Sequence, residues 1–297
     1  MKKLFFFRDH EHVEFAHGHF LVSVLLQTAV WLVGNFFIWR WARADILTAQ
    51  VTSSVWVVLA CFTVIHAFLG LFEYFFHRYV LHSVFWRLLG PMKRKHTEHH
   101  SLTHVRELKH KQDEGGNVEV RNCYPIVAPE QIESSAFPGY ALVSFLLLFS
   151  APLIGVQLLL PSLPILLSGY LAVLFSYALY EMKHAVEHND YYSFWKPRIE
   201  RSRFYRSWYA FHLMHHSRIR VNQAIGGVFA LPIWDWVFGT YFVPDHLPLP
   251  GATVPPESLV PPQPRPFIRW LDSWVAKAEN RIISRRKEAA LRSASQR

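Results

Sequence analysis

The sequence predicts an all-α, polytopic membrane protein: about four transmembrane helices in two hairpins, with a helical metal-binding cap on the cytoplasmic side. Three observations carry this expectation. The chain of 297 residues is 51% hydrophobic and only 18% charged, and its apolar residues are bunched into runs. Four of those runs are long enough to cross a hydrocarbon core of about 30 Å. Histidine, a rare residue, gathers in four clusters beside polar segments that follow or separate these runs.

Residues 1–19 are polar and carry His10, His12, His17 and His19, none of them expected as a ligand. The apolar core Leu4 to Phe7 is too short for a secretory signal, so the first span is expected to stay as an anchor. That span runs from Phe20 to Trp39, with Trp39 and Trp41 at interface depth and Arg40, Arg43 and Asp45 beyond it. Val51 to Phe72 is the second, interrupted only by His66, and it ends in EYFFHRYVLH. A hydrophilic loop fills roughly 85–135. Phe137 to Leu160 and Ser162 to Tyr180 are the third and fourth spans, and Pro161 and Pro164 mark the turn between them. Residues 20–243 thus read as one membrane-embedded domain.

The connections at 40–50 and Pro161 hold few charges, while the N-terminus, the 77–135 loop and the chain after Glu181 hold nearly all the Lys and Arg. The positive-inside rule puts both termini and all four histidine clusters in the cytoplasm. Net charge is +9, which suits anionic lipid or an acidic protein partner. No nucleic-acid-binding module accompanies it, so nucleic acid is not an expected partner. Cys61 and Cys123, one in a span and one in a loop, exclude a disulfide framework and a cysteine zinc site.

Residues 191–211 are aromatic and basic. Phe204, Trp208 and Phe211 at i, i+4, i+7 predict a helix lying at the membrane surface. Proline-rich 244–266 reads as an extended linker. In 267–297, Phe267, Trp270, Leu271, Trp274, Val275, Ala278 and Ile282 form a helical stripe, with Arg269, Lys277, Arg281 and Arg285 opposite. That predicts a basic amphipathic helix, either on the cytoplasmic leaflet or packed on the domain.

The candidate metal ligands are His77 and His82 in HRYVLH; His96, His99 and His100 in KHTEHH; His184 and His188 in KHAVEH; and His212, His215 and His216 in FHLMHH. Neutral imidazole suits iron, zinc and copper, and helical residues three or four apart share a face. Ten donors exceed a four-ligand zinc site and fit two metals with open coordination. His77 and His82 are five apart, about 140° on an ideal helix, so they can share a target only where the helix ends, bulges or unwinds between them. Glu73, Glu98, Glu181, Glu187 and Asp190 are candidates for orienting the rings. Trp86, Tyr180, Trp208 and Phe211 flank the clusters, with packing as their main role. His66 is an intramembrane ionisable group, hence a functional candidate, with a hydrogen-bonded structural role equally open. His104, four after His100, reads mainly as solvated. Asp235 in IWDW reads as a tie between the C-terminal segment and the bundle.

The order H-x4-H, HxxHH, HxxxH, HxxHH over roughly residues 65–245 resembles the fatty acid hydroxylase/sterol desaturase superfamily. Asn222, Gly226 and Gly227, followed by Leu231 to Tyr241 (LPIWDWVFGTY), are similar to that family's closing segment. The resemblance implies an integral-membrane oxygenase with two iron ions on those ten histidines. It implies O2 as co-substrate and hydroxylation or desaturation of lipid chains and sterols. Zinc would also fit imidazole in purified protein. The chain has no cytochrome domain and no GxGxxG fingerprint. Electrons are therefore expected from a separate carrier of cytochrome or ferredoxin type. Lipid hydroxylation is the leading expectation, and a sterol-type desaturase or methyl oxidase is the alternative within the family. From another class the rival is a non-catalytic membrane metal-binding protein. A carrier needs polar ligands through the bilayer, and only His66 lies deep.

Overall fold

The computed structural model describes residues 7–8, 14–15, 17–83 and 90–295. Trp86, His10 and His12 lie outside the described residues. Four helices are long and apolar enough to cross a membrane: Gly18–Ala42, Val55–Leu81, Ala141–Leu159 and Ile165–Glu187. They match the four predicted runs. The chain falls into two compact units.

The first unit holds 1–72, 136–186 and 225–231. A short pair, β1 (Phe7–Arg8) and β2 (Glu14–Phe15), precedes α1 (His17–Ala42), α2 (Ala44–Thr52), and α3 (Val55–Phe76), which leaves this unit at its end. Further on come α6 (Ala141–Leu159) and α7 (Ile165–Glu187). Their core joins Phe20, Val24, Ile46, Leu142, Leu146, Leu166 and Tyr170. Leu25, Leu26, Val30, Phe37, Trp56 and Phe68 remain exposed, the pattern of a lipid-facing surface. The α6–α7 turn is closed by two buried amides. Gln157 Oε1 accepts the Leu166 amide at 3.2 Å, Gln50 Oε1 accepts the Leu167 amide at 3.0 Å, and Gln50 Nε2 donates to Gln157 Oε1 at 3.1 Å. These bonds satisfy amides at the first turn of α7, which no helical carbonyl can reach. A Cβ on Gly169 would lie 2.4 Å from a Leu153 methyl, so a larger residue there would have to push the Leu153 side chain aside.

The second unit holds 73–135, 187–224 and 232–297. After α4 (Gly90–Leu102), the hydrophilic loop carries strands that sequence periodicity did not predict: β3 (Val105–Gln112) and β4 (Val118–Asn122), antiparallel, with β5 (Thr253–Val254) on the outer edge of β4. Val118 and Val120 are buried while Arg121 is exposed, the two-residue alternation of a half-buried strand. Then come α5 (Pro129–Ser135), a π-helical turn (Tyr191–Trp195), α8 (Lys196–Ile199), α9 (Arg203–Ser217, capped by the Ser202 hydroxyl), α10 (Ile233–Phe238) and α11 (Pro266–Ser295).

Three expectations change here. Residues 191–211 are not one surface helix: the chain breaks at 200–202, and Phe211 is buried while Phe204 is exposed. Proline-rich 244–266 is a fitted strap, with Leu247, Val254 and Leu259 buried and β5 paired to β4. The predicted stripe of α11 divides. Ile268 and Val275 are buried, and Leu271 packs with Tyr74, Phe75 and Phe238, whereas Phe267, Trp270 and Trp274 stay exposed. Asp272, on the packed side, takes two bonds from the buried Arg78 guanidinium (3.0 and 2.5 Å) and one from the Tyr79 hydroxyl (2.9 Å).

Candidate metal centre

Four local structures deliver the histidines. At the end of α3 the helix widens into a π-helical turn, His77–Leu81. An i→i+5 bond adds one residue per turn. This brings the His77 and His82 ring centroids to 5.0 Å of each other and removes the 140° objection raised by ideal geometry. His96, His99 and His100 lie on α4, and His212, His215 and His216 on α9. His184 occupies the last turn of α7, buried, one turn before His188. Its ring stacks on Tyr180 at 5.7 Å.

The rings sort into two groups, and each HxxHH box is divided between them. His77, His82, His96, His100 and His215 form one group, whose ligand atoms all lie within 4.8 Å of one another. His99, His188, His212 and His216 lie within the same limit in the other. In the first, Nε2 of His96 is 3.0 Å from Nε2 of His77, 3.0 Å from that of His82 and 3.1 Å from that of His100, and His82 is 3.1 Å from His215. In the second, Nε2 of His212 is 3.1 Å from those of His188 and His216.

The outer ring nitrogens fix the tautomers. His77 Nδ1 donates to the Gln223 carbonyl (2.7 Å), His215 Nδ1 to the Val221 carbonyl (2.9 Å) and His188 Nδ1 to the Tyr124 carbonyl (2.7 Å). The Thr103 hydroxyl spends its proton on the His99 carbonyl, so it accepts from His216 Nδ1 (3.0 Å). The Ser135 hydroxyl donates to Gln131 O and likewise accepts from His99 Nδ1 (2.8 Å). In a neutral imidazole the second nitrogen then carries only a lone pair. Nε2 of His77, His99, His188, His215 and His216 is therefore an acceptor; the 3.0–3.1 Å contacts pair His77 with His96, His215 with His82, and His188 and His216 with His212, and inward nitrogens gathered in this way could hold a metal ion. Charge on the rings is disfavoured in the same way. Burial, and after it the neighbouring imidazoles, holds His82 and His100 well below the usual histidine range. Burial does the same to His215, and it lowers His188 to about 3.

Backbone carbonyls and hydroxyls orient His77, His99, His188, His215 and His216. Asp235 holds the carbonyl-bearing loop. Its carboxylate accepts the Gln223 amide (2.9 Å), the Ala224 amide (2.9 Å) and the Thr240 hydroxyl (2.6 Å). Burial pushes this carboxyl above its usual range, and the three donors pull it back. Asn222, at positive φ (53°), clamps the same loop to Phe211 O and Phe242 O. Glu181 accepts the Phe137 amide at 3.4 Å. Sequence reasoning did not single out Ser135, Thr103 or Tyr124. Thr103 sits four residues after His99, the one spacing that hinted at it.

His66 belongs to the first unit and to neither group. Its Nε2 accepts the Phe229 amide (2.9 Å), so Nδ1 carries the proton and donates to the Ser176 hydroxyl (2.8 Å). Both nitrogens are used, which is the structural role. His104 Nδ1 donates to the Ser101 carbonyl (2.8 Å), outside both groups. No family model, curated protein or solved structure matches this chain.

Proposed function

We propose that this chain is an integral-membrane oxygenase that holds two iron ions on its ten clustered histidines and uses O2 to hydroxylate a lipid. The observation that carries the proposal is the pair of convergent, largely buried imidazole groups whose ligand atoms lie within 4.8 Å of one another. Imidazoles gathered in two such groups exceed the four ligands of one closed zinc site. His77, His82, His96, His100 and His215 would hold one ion and His99, His184, His188, His212 and His216 the other. When bound, the ions would supply the binding and reduction of O2 and the oxidising power for an unactivated C–H bond.

The chain's own residues do the rest. Gln223, Val221 and Tyr124 carbonyls and the Ser135 and Thr103 hydroxyls keep Nε2 unprotonated and aimed inward. Burial of His77, His99, His188, His212 and His215 keeps water from the nitrogens. His77 lies within the second candidate span, Val55–Leu81, and the fourth, Ile165–Glu187, contains His184 and ends one residue before His188, which supports a substrate drawn from the bilayer. The order of the four clusters supports the fatty acid hydroxylase/sterol desaturase reading. Within it, desaturation or methyl oxidation of a sterol-type substrate is the second outcome. Electrons come from a separate carrier of cytochrome or ferredoxin type, and both termini and the metal groups face the cytoplasm, where the basic segments lie.

The experiment is metal analysis of purified protein together with lipid profiling of cells with and without it, beside a His99→Ala control. Two irons per chain and a hydroxylated lipid that disappears in the control are expected. Two metals with an unchanged lipid profile would mean a non-catalytic metal-binding protein.

A further inference from the structure

Beside the His99, His188, His212 and His216 group begins a row of oxidisable aromatic rings. Tyr124 lies 4.3 Å from His188 and 5.1 Å from His216, measured between ring centroids. Tyr209 follows at 5.7 Å from Tyr124, Trp195 at 5.2 Å from Tyr209, and Trp208 at 5.7 Å from Trp195. Tyr205 stacks on Trp208 at 6.3 Å. Tyr124, Tyr209 and Trp195 are fully buried, and Trp208 and Tyr205 are half-buried. The row thus runs from the ligands outward.

A second observation separates it from ordinary packing. The Tyr124 and Tyr209 hydroxyls and the Trp195 and Trp208 indole nitrogens are all buried with no hydrogen-bond partner among the described residues. Buried Tyr and Trp normally find a partner for the polar atom. Leaving it unmade is unfavourable, and phenylalanine would fill similar space without that penalty. Four consecutive exceptions in one row are not what packing selects. What these side chains share, and phenylalanine lacks, is a readily lost O–H or N–H hydrogen atom.

We infer that Tyr124, Tyr209, Trp195 and Trp208 form a relay that passes hydrogen atoms, one electron with one proton, from the surface to the metal group. The relay rests on the oxygenase reading for its oxidant. It discharges an oxidising equivalent that has met no lipid C–H bond. With the ions bound, Tyr124 would give up the electron and proton of its O–H to that group. Tyr209 restores Tyr124, Trp195 restores Tyr209 and Trp208 restores Trp195, each by giving up its own O–H or N–H hydrogen. A low-molecular-weight thiol in solution restores Trp208 by breaking its S–H bond. Two such turns oxidise two thiols to one disulfide and deliver two electrons and two protons, leaving the aromatic side chains unchanged. The protein thereby spares its ligands when substrate is scarce.

The test uses full-length protein in detergent, with Tyr209→Phe and Trp195→Phe as interruptions remote from the ligands. Metal-free protein is first photo-oxidised from outside by a ruthenium tris(bipyridine) sensitiser. In the wild type, decay of the tryptophanyl radical is expected to feed a slower rise of tyrosyl radical. Each variant should lose more than half of that second phase. An unchanged second phase in both variants overturns the relay, whatever the metals do. The same proteins are then loaded with iron(II) and exposed to O2 without lipid or thiol. Peptide mass spectrometry should find oxidation at Trp208 and Tyr205 in the wild type, moved inward to Tyr124 in Tyr209→Phe and to Tyr124 and Tyr209 in Trp195→Phe. The same damage map in all three also overturns the relay. Failure to bind iron overturns the oxygenase reading alone and leaves the photo-oxidation result standing.

Discussion

Asp235 is the side chain through which the two histidine groups can be told apart. It touches no histidine, yet it fixes the loop whose Gln223 and Val221 carbonyls hold His77 and His215, both in the first group. Asp235→Ala leaves the Gln223 amide, the Ala224 amide and the Thr240 hydroxyl without their acceptor. A buried donor left unpaired costs about 1–3 kcal/mol; with partial relaxation the three together cost about 3–6 kcal/mol, which threatens the fold itself. Asp235→Asn is the informative change. Its amide oxygen keeps the Gln223 amide and the Thr240 hydroxyl, and its NH2 faces the Ala224 N–H, so one bond is lost at about 1–3 kcal/mol. The loop carbonyls then shift, and loss of such orienting partners weakens metal binding by about 10–100-fold. The second group hangs on Tyr124 O, Thr103 and Ser135, none of which Asp235 contacts. In a graded chelator challenge followed by elemental analysis, Asp235→Asn should lose one ion at about 10–100-fold lower chelator than wild type and hold the other normally. Equal weakening of both ions, or of neither, would refute this account of the loop.

Other expectations follow from the same contacts. His215→Ala and His212→Ala should each drop metal content from two ions to one, and the double variant to none, by elemental analysis. Asp272→Ala strands the buried Arg78 guanidinium and should destabilise by about 3–5 kcal/mol, read as a lower melting temperature and early proteolysis of α11. Arg78→Met with Asp272→Leu should recover most of that loss, since a missing pair is tolerated better than a broken one. Metal-stripped protein should weaken in acid. His82, His100, His188 and His215 are held neutral in the fold, whereas an unfolded histidine titrates near 6.5. The unfolded chain therefore binds protons first. Stability is fully present above about pH 6.5 and falls by about 1.4 kcal/mol per pH unit per ring below it, continuing toward pH 3 for His188. Melts at pH 7.5, 6.5 and 5.5 should show the decline, and a flat series would contradict neutral buried rings.

Much of this was legible in the sequence because the signals are local. A run such as Phe20 to Trp39 needs no partner to declare itself, since length and apolarity decide it. Spacing alone placed the histidines on common helices. It also showed that His77 and His82 required a departure from the α-helix, which the π-helical turn supplies. The rest was hidden because it depends on contacts distant in sequence. The β3–β4 hairpin is charged on its outer face, and its edge is completed by Thr253 and Val254, more than 130 residues after Val118 and Glu119, so no local window reveals the sheet. Phe267, Trp270 and Ile268 look alike on a helical wheel, and only Tyr74, Ala224 and Phe238 determine that Ile268 is the buried one. The carbonyls behind His77, His188 and His215 have no side-chain signature at all.

The division of the HxxHH boxes lies between these cases. At about 100° per residue, the first and last histidines of a box stand about 40° apart, and the middle one lies about 60° to the other side of the first. One helix therefore aims its box in two directions. α4 gives His96 and His100 to one group and His99 to the other, whereas α9 gives His212 and His216 to the second and His215 to the first. The exchange is reciprocal: each helix supplies a pair to one group and a single ring to its neighbour. His99→Ala and His215→Ala, the two middle positions, therefore predict opposite metal losses although both occupy the same place in their motif. A sequence repeat that looked like two copies of one site is the geometry by which two helices share two sites.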